Sequence, residues 1–245
     1  MEGDAGASPA STRAQIVSDA STPLDAAIGN VQITEVVAAT SADGGISADD
    51  PAGFFVQDFT GAIFVAVDPA TITPTPQRGD LLVFRATLGE IHARARWITA
   101  LTGYYRGGAG GSIAELEQDV SATTDLVSNL DRYEHHLVRV RGTIAGDFAD
   151  AGVGFESAQI TTEGVPTATS DLVLRVATAV RSGMNLRRGC AFTTVSPLWR
   201  RDAQAQVHAW TANQITLGGC PGDADAGVDA GAPLDAETTD VGASE

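Results

Sequence analysis

One stretch constrains the fold more than any other: residues 53–67, where two β-rich runs flank a short polar turn. The first run holds Phe54, Phe55 and Val56, and the second reads Ile-Phe-Val-Ala-Val at 63–67. Aromatic and β-branched residues bounded by Gly and Asp predict a β-hairpin. Apolar residues occur on both faces of the hairpin, so we expect it to lie centrally in a closed or doubly covered sheet.

Three further strands are predicted around the hairpin, at residues 31–40, 81–88 and 94–106, because apolar residues recur there at alternate positions. Five strands in about 80 residues, with no crossover helices between them, are typical of an antiparallel barrel or sandwich. Residues 1–27 are rich in Ala, Ser, Thr, Asp and Pro, which predicts a disordered lead-in before this first unit, placed at 28–108.

A glycine cluster at 107–111 introduces a predicted connector over residues 109–132. Helical spacing of apolar residues predicts two short helices, at 112–120 and 124–136. Ser112 lies three residues before Glu115, which is the spacing of a capping box.

A second unit with the same plan is predicted at residues 133–220. Its strands are expected at 137–146, 152–162, 172–176, 190–195 and 204–217, with a turn at 181–189. The segment 221–245 has too little apolar content to fold and is predicted to be a disordered acidic tail.

All 15 basic residues are arginines, and the chain has no lysine. A P-loop and a Schiff-base lysine are therefore excluded, since both chemistries require lysine. The formal net charge of −16 makes the chain a poor general binder of polyanions. Between Tyr133 and Cys220, however, eight arginines face seven acidic residues, so a local patch could still bind one.

Cys190 and Cys220 fit a single disulfide, which would imply an oxidising compartment; the alternative is two unpaired thiols in a reducing cytosol. No apolar run reaches the roughly 18 residues of a membrane span. The start, Met1-Glu2-Gly3-Asp4, is acidic where a signal peptide is basic, so we interpret the chain as one that begins after a removed signal. The expected location is extracellular, periplasmic or on the outer surface.

The order of these runs resembles that of OB-fold domains in secreted bacterial proteins, where such domains often accompany nucleases. The resemblance rests on Gly-Phe-Phe-Val-Gln-Asp at 53–58, Arg-Gly-Asp-Leu-Leu-Val-Phe-Arg-Ala-Thr at 78–87, and the run from Tyr133 to Gly142 as the start of a second such domain. The Asp-Ala-Gly repeats after Cys220 resemble linkers of lipoproteins and secreted proteins from myxobacteria-like genomes. The resemblance implies two tandem, five-stranded OB-like antiparallel barrels; a pair of β-sandwich modules is the alternative.

No catalytic, cofactor or metal motif is recognisable, because the histidines lack an accompanying nucleophile elbow and no His/Cys cluster has zinc spacing. The most suggestive constellation joins aromatic and basic residues, since OB barrels bind single strands by stacking bases on aromatic rings within a basic groove. The predicted ligand-binding residues are Arg181, Arg187, Arg188, Trp199, Arg200, Arg201 and Trp210 in the second unit, with Trp97 and Tyr105 in the first. The competing interpretation buries Trp199 and Trp210 in the barrel and leaves the arginines solvated in turns.

These features predict a non-catalytic secreted or cell-surface protein whose barrel faces bind an extended oligomer, either single-stranded nucleic acid or glycan. The alternative is a structural or protein–protein interaction module of the cell envelope.

Overall fold

The computed structural model describes residues 7–38 and 51–221, and most of its regular elements are strands. Apart from Pro221, the predicted acidic tail at 221–245 lies outside the described residues. The first unit contains a short helix and five strands: α1 Pro9–Gln15, β1 Thr22–Val37, β2 Gly53–Asp58, β3 Gly61–Val65, β4 Asp80–His92 and β5 Ala95–Ala109.

The first unit is a closed barrel with the strand order β1-β2-β3-β5-β4, in which β4 pairs back to β1. Neighbouring strands are antiparallel except β3 and β5, which pair in parallel. This order is that of a five-stranded OB-like barrel. The predicted hairpin is confirmed as β2 and β3, and Asp58 closes its turn by accepting hydrogen bonds from the backbone of Thr60 and Gly61 at 2.7 and 3.1 Å.

The second unit has nine strands and one helix: β6 Gln118–Asp119, β7 Leu137–Ile144, β8 Ala149–Asp150, β9 Phe155–Thr162, β10 Leu172–Ala177, α2 Thr178–Met184, β11 Ala191–Pro197, β12 Trp199–Arg201, β13 Gln204–Ala209 and β14 Ile215–Gly219. Its main sheet runs β12-β13-β10-β9-β7-β11-β14. The strand order of the first barrel recurs within this sheet: strands β7, β9, β10, β13 and β11 correspond to β1, β2, β3, β5 and β4. The parallel pair of the first barrel, β3 and β5, is matched by β10 and β13. The prediction of two tandem OB-like units is thereby confirmed.

The two units differ in backbone pairing, because only the first is a closed barrel among the described residues. In the part of the chain that the structure describes, no backbone ladder joins β11 to β13, whereas the equivalent strands β4 and β5 are paired along most of their length. The predicted disulfide is confirmed: Cys190 and Cys220 are bonded, which ties the start of β11 to the end of β14.

The predicted disordered lead-in at residues 1–27 was wrong over most of its described part, because α1 and the first third of β1 lie within it. Ser8 caps α1 in a capping box with Ser11, which a reading of bulk composition overlooks. Thr12 and Ile16 are fully buried, so packing against the barrel stabilises a segment with few apolar residues.

The two helices predicted in the connector, at 112–120 and 124–136, are also absent from the described residues. Short 3₁₀ turns stand there instead, at Ile113–Leu116 and Leu130–Arg132. The apolar spacing had another cause, since Leu126 and Leu130 pack onto the core of the second unit without forming a continuous α-helix. Conversely, α2 forms where a turn was predicted to begin, and Asn185 ends it in the left-handed conformation at φ 52°.

Each unit has its own apolar core, and a third apolar cluster lies between the units. Among the described residues, no helix is both long and apolar enough to cross a membrane.

Candidate functional site

Most of the predicted aromatic binding residues lie in the contact between the two units. Trp97 of the first unit and Trp199 of the second are 2% and 4% exposed, and their ring centroids are 5.5 Å apart. We call this cluster the junction; its members are Val37, Phe55, Phe64, Ala95, Trp97 and Trp199, with Ala66 and Trp210 packed against it. Trp97 and Trp199 were predicted to bind ligand; in this structure both rings are buried and offer no free face on which a base or sugar can stack.

The junction covers the face of the first barrel on which OB folds usually bind their ligands. That face is formed by the second and third strands, together with the loops beside them. Phe55 on β2 and Phe64 on β3 are cross-strand partners on this outer face, with ring centroids 4.8 Å apart. Trp199 packs on both rings, at 5.6 and 4.9 Å. The second unit therefore occupies the position of a ligand on the first.

Backbone hydrogen bonds fix the units to each other at the junction. The backbone N–H of Phe64 donates to Nδ1 of His135 at 3.2 Å, and the side chain of Gln57 receives a hydrogen bond from the Leu137 backbone at 2.7 Å. Because Nδ1 of His135 accepts, the ring is neutral with its proton on Nε2. Burial lowers the pKa of His135 well below its ordinary value, with the nearby charge of Arg13 acting in the same direction.

A buried ion-pair network lies beside the aromatic rings. Glu134 is fully buried and contacts Arg13 at 3.4 Å and Arg200 at 3.2 Å. Arg200 also binds Asp131, and this hydrogen bond lowers the pKa of the Asp131 carboxyl. Arg200 was predicted to bind ligand; in this structure its side chain is 8% exposed and is held by these carboxylates.

The remaining predicted residues are not brought together into one patch. Arg181 pairs with Glu156 at 3.3 Å and lies over the ring of Phe148, while Arg187 donates to the Pro221 carbonyl at 2.9 Å. Arg188 is exposed in the turn after α2, and Arg201 is exposed at the end of β12. Trp210 is partly buried against the junction, and Tyr105 on β5 is 65% exposed.

The face of the second unit that corresponds to the covered face of the first is exposed along β9, where Gln159 is exposed and Ser157 is half-buried. On β10, by contrast, Val173 and Arg175 are buried. Here the second and third strands are β9 and β10, flanked by the loop between β7 and β9 and by the loop between β11 and β13. A groove of about 370 Å³ runs over this face. We call it the outer groove; it is lined by Gly146, Asp147, Ala149, Ser157, Ala158, Gln159, Ser170, Val173 and Gln204.

The outer groove is polar, and its polar side chains are mostly uncharged. Ser157 and Gln159 project from β9, and Gln204 lies at the start of β13, where it donates to the Ser170 carbonyl at 2.7 Å. A neighbouring hollow of about 340 Å³ shares Ser170 and Gln204 and continues the groove toward Arg201. Sequence reasoning missed these residues because isolated Ser and Gln residues carry no motif.

The charges of the described residues are largely paired. Residues 7–38 and 51–221 contain all 15 arginines and 19 acidic residues. Ten of these arginines have a carboxylate oxygen within 4.0 Å: Arg13, Arg78, Arg85, Arg96, Arg106, Arg132, Arg139, Arg141, Arg181 and Arg200. Paired arginines contribute little to a basic field, so the surface does not favour a polyanion.

No protein-family profile matches the chain, and no curated protein sequence matches it. Among solved structures, the p204 HINb domain matches 82% of this chain and 100% of its own at 11% identity and a TM-score of 0.36. The tetrameric p202 HIN2 matches 82% of this chain and 96% of its own, at 12% identity and a TM-score of 0.39. The p202 HIN1 in complex with 12-mer dsDNA matches 84% and 98%, at 9% identity and 0.37. Such low scores carry no argument about fold or ligand, so the OB-like assignment rests on the strand order.

Proposed function

We propose that the chain is a non-catalytic binding protein whose second unit holds an extended, uncharged, hydroxyl-rich oligomer, a glycan, in the outer groove. The observation that carries the proposal is the contrast between the two equivalent faces. The first unit's face is buried in the junction, whereas the second unit's face carries a groove that is exposed along β9 and lined mainly by small, amide and hydroxyl side chains. OB folds bind oligosaccharides and oligonucleotides on this face.

The lining favours a glycan over a single-stranded nucleic acid. Single-strand binding combines aromatic stacking platforms with a basic groove. The residues that line the outer groove include neither an aromatic ring nor an arginine, and Asp147 among them repels phosphate. Side-chain amides and hydroxyls both donate and accept hydrogen bonds, which matches the hydroxyl groups of a sugar chain.

Two further features support the non-catalytic role and the location that we propose. Among the residues lining the groove, no histidine accompanies Ser157 or Ser170, which fits binding without turnover. The disulfide between Cys190 and Cys220 fits an oxidising location, extracellular, periplasmic or on the outer surface. A place beside secreted nucleases, suggested by the sequence resemblance, stays a prediction.

The test is a titration of the disulfide-bonded protein with neutral oligosaccharides of cello, chito and malto type, and in parallel with a single-stranded oligonucleotide at about 50 mM salt. We expect one sugar series to bind. The exposed Gln159→Ala change should weaken that binding about tenfold, the effect of losing one good hydrogen bond.

Gln118→Ala is the matched control, because Gln118 is an equally exposed strand glutamine outside the groove. Its affinity should equal that of the unaltered chain. Oligonucleotide binding without sugar binding would replace the glycan proposal by the nucleic-acid one, and absence of both would overturn oligomer binding.

A second candidate, a structural or protein–protein module of the envelope, is favoured by one observation. Val83 on β4 and Tyr105 on β5 are cross-strand partners, and both are exposed, at 40% and 65%. Exposed apolar neighbours of this kind mark contact surfaces. Concentration-dependent sedimentation that Tyr105→Ser abolishes would support this candidate, and a monomer at every concentration would count against self-association.

A further inference from the structure

A cleft of about 380 Å³ lies where α1, the β2–β3 turn, β5 and the connector meet, away from the outer groove. We call it the arginine cleft; it is lined by Ala10, Arg13, Ala14, Thr60, Gly61, Arg96, Asp131, Arg132 and His136. One wall is compact, because a Cβ built on Gly61 would approach the Cβ of Ala10 to 3.0 Å. The small side chains of α1 leave the space above them open.

The cleft carries an excess of positive charge. In the described residues, Arg13 and Arg96 at the cleft and Arg200 beside them share two carboxylates, those of Glu134 and Asp131. Burial lowers the pKa of Arg13, and the like charges of Arg96 and Arg200 lower it further, against the attraction of the carboxylates. An anion in the cleft would relieve this repulsion.

Two arginines in the cleft also have unused donors. Arg96 donates through Nε to the Ile16 carbonyl at 3.3 Å and contacts Asp131 only at 3.9 Å. Arg132 is 67% exposed, and the nearest carboxylate that it meets in the described residues, Asp125, is 4.0 Å away. Burial lowers the pKa of His136, so this ring is a neutral hydrogen-bonding group at the cleft wall.

We propose that the arginine cleft binds a small ligand through a terminal oxyanion, either phosphate or carboxylate. Guanidinium groups recognise both by paired hydrogen bonds, and Arg96 and Arg132, which both line the cleft, supply such donors. The volume lies in the range of small-molecule sites, so the ligand extends beyond the oxyanion itself. Because α1 and both units line the cleft, the bound ligand strengthens their association.

The test measures the unfolding temperature of the full chain in sodium phosphate, sodium acetate and sodium chloride at one ionic strength. We expect phosphate or acetate to raise the midpoint in a saturable way, since a ligand that binds only the folded state stabilises it by mass action. The salt that acts identifies the oxyanion. Arg132→Gln should weaken the apparent affinity about tenfold or more, because a charge-assisted hydrogen bond is lost.

Arg141→Gln is the matched control, as Arg141 is similarly exposed, at 62%, and ion-paired, but lies outside the cleft. Its response should equal that of the unaltered chain. Equal midpoint shifts in Arg132→Gln, or midpoints that are the same in all three salts, would overturn the proposal. Arg132 is a surface residue, so the variant keeps the fold and either result is interpretable.

Discussion

The two units share one strand order but use the same face in opposite ways. In the first unit, the outer face of β2 and β3 carries Phe55 and Phe64 and is buried against Trp199. In the second unit, the corresponding face of β9 carries Ser157 and Gln159 and is open. The comparison teaches that an OB-like topology supplies a face, and that the residues at its outward positions decide whether the face binds a neighbour or a ligand.

The largest effect is expected from Glu134→Gln, which breaks the charge network beside the junction. The change leaves Arg13 and Arg200 buried without their shared counter-charge. Removing one partner of a buried ion pair lowers the free energy of unfolding by about 3 to 5 kcal/mol. Because Glu134 pairs with two arginines, we expect a loss at the upper end of this range. Denaturant unfolding measures it. Glu117→Gln, which breaks the more exposed pair with Arg139, should cost less than about 1 kcal/mol; equal losses would contradict a special role for the network.

Phe55→Ala tests directly whether the first unit's outer face is an internal surface. Phe55 is fully buried and contacts four aromatic rings: that of its cross-strand partner Phe64, and those of His135, Trp199 and Trp210. Truncating a buried phenylalanine costs about 4 kcal/mol. Calorimetry should also show the two units unfolding in separate transitions. A loss below about 1 kcal/mol would mean that the face is not buried in solution.

Reduction of the disulfide should affect the two units unequally. The link between Cys190 and Cys220 closes a loop of 30 residues in the second unit, and such a loop contributes about 3 to 4 kcal/mol. Hydrogen exchange after reduction should increase first in β11 and β14 and leave the ladder between β1 and β4 protected. Uniform exchange in both units would show instead that they unfold as one body.

Acidification should weaken the chain through its two buried histidines, His135 and His208. Burial lowers the pKa of both well below the ordinary value. The unfolded chain therefore binds protons below about pH 6.5 that the folded chain does not, and the free energy of unfolding falls by up to about 1.4 kcal/mol per pH unit for each histidine. Unfolding at pH values between about 7.5 and 5.5 measures the slope. His208→Gln should make it shallower, and an unchanged slope would exclude His208 as a source.

The smallest effect on stability is expected from Gln159→Ala. Gln159 lies on the outer face of β9 and is exposed, so its truncation should change the free energy of unfolding by less than about 0.5 kcal/mol. The same denaturant assay as for Phe55→Ala measures it. Comparing the loss of unfolding free energy in Gln159→Ala with that in Phe55→Ala shows how strongly each outer face is buried. A loss comparable to that of Phe55→Ala would mean that the outer groove is covered too.

The sequence predicted the parts of the fold that depend on local spacing. Alternation and turn residues indicated the hairpin and the other barrel strands, and the hairpin also held the signal for the junction. Phe54 and Phe55 are adjacent, so they face opposite sides of the sheet, one toward the barrel core and one toward the second unit. Apolar residues on both faces predicted a doubly covered sheet, but not which part of the chain covers it.

The site was less predictable because it depends on contacts between distant segments. In the sequence, Trp97 and Trp199 resemble exposed rings on which bases could stack. In the fold, the two rings pack against each other and both are buried. The arginines suggested a basic patch because the sequence does not show which of them pair with carboxylates in the fold. The outer groove uses Ser and Gln, whose roles depend on which face of a strand they occupy.

The length of β1 has a practical consequence for anyone who dissects this protein. Its residues from Thr22 to Gln32 pair with β4, and those from Gln32 to Val37 pair with β2. A fragment cut to begin at the first recognisable run of apolar residues, near Val31, would lose most of the pairing with β4. Its freed backbone groups would then be available to other chains, so such a fragment should precipitate on expression, whereas one beginning at Ala7 should remain in solution.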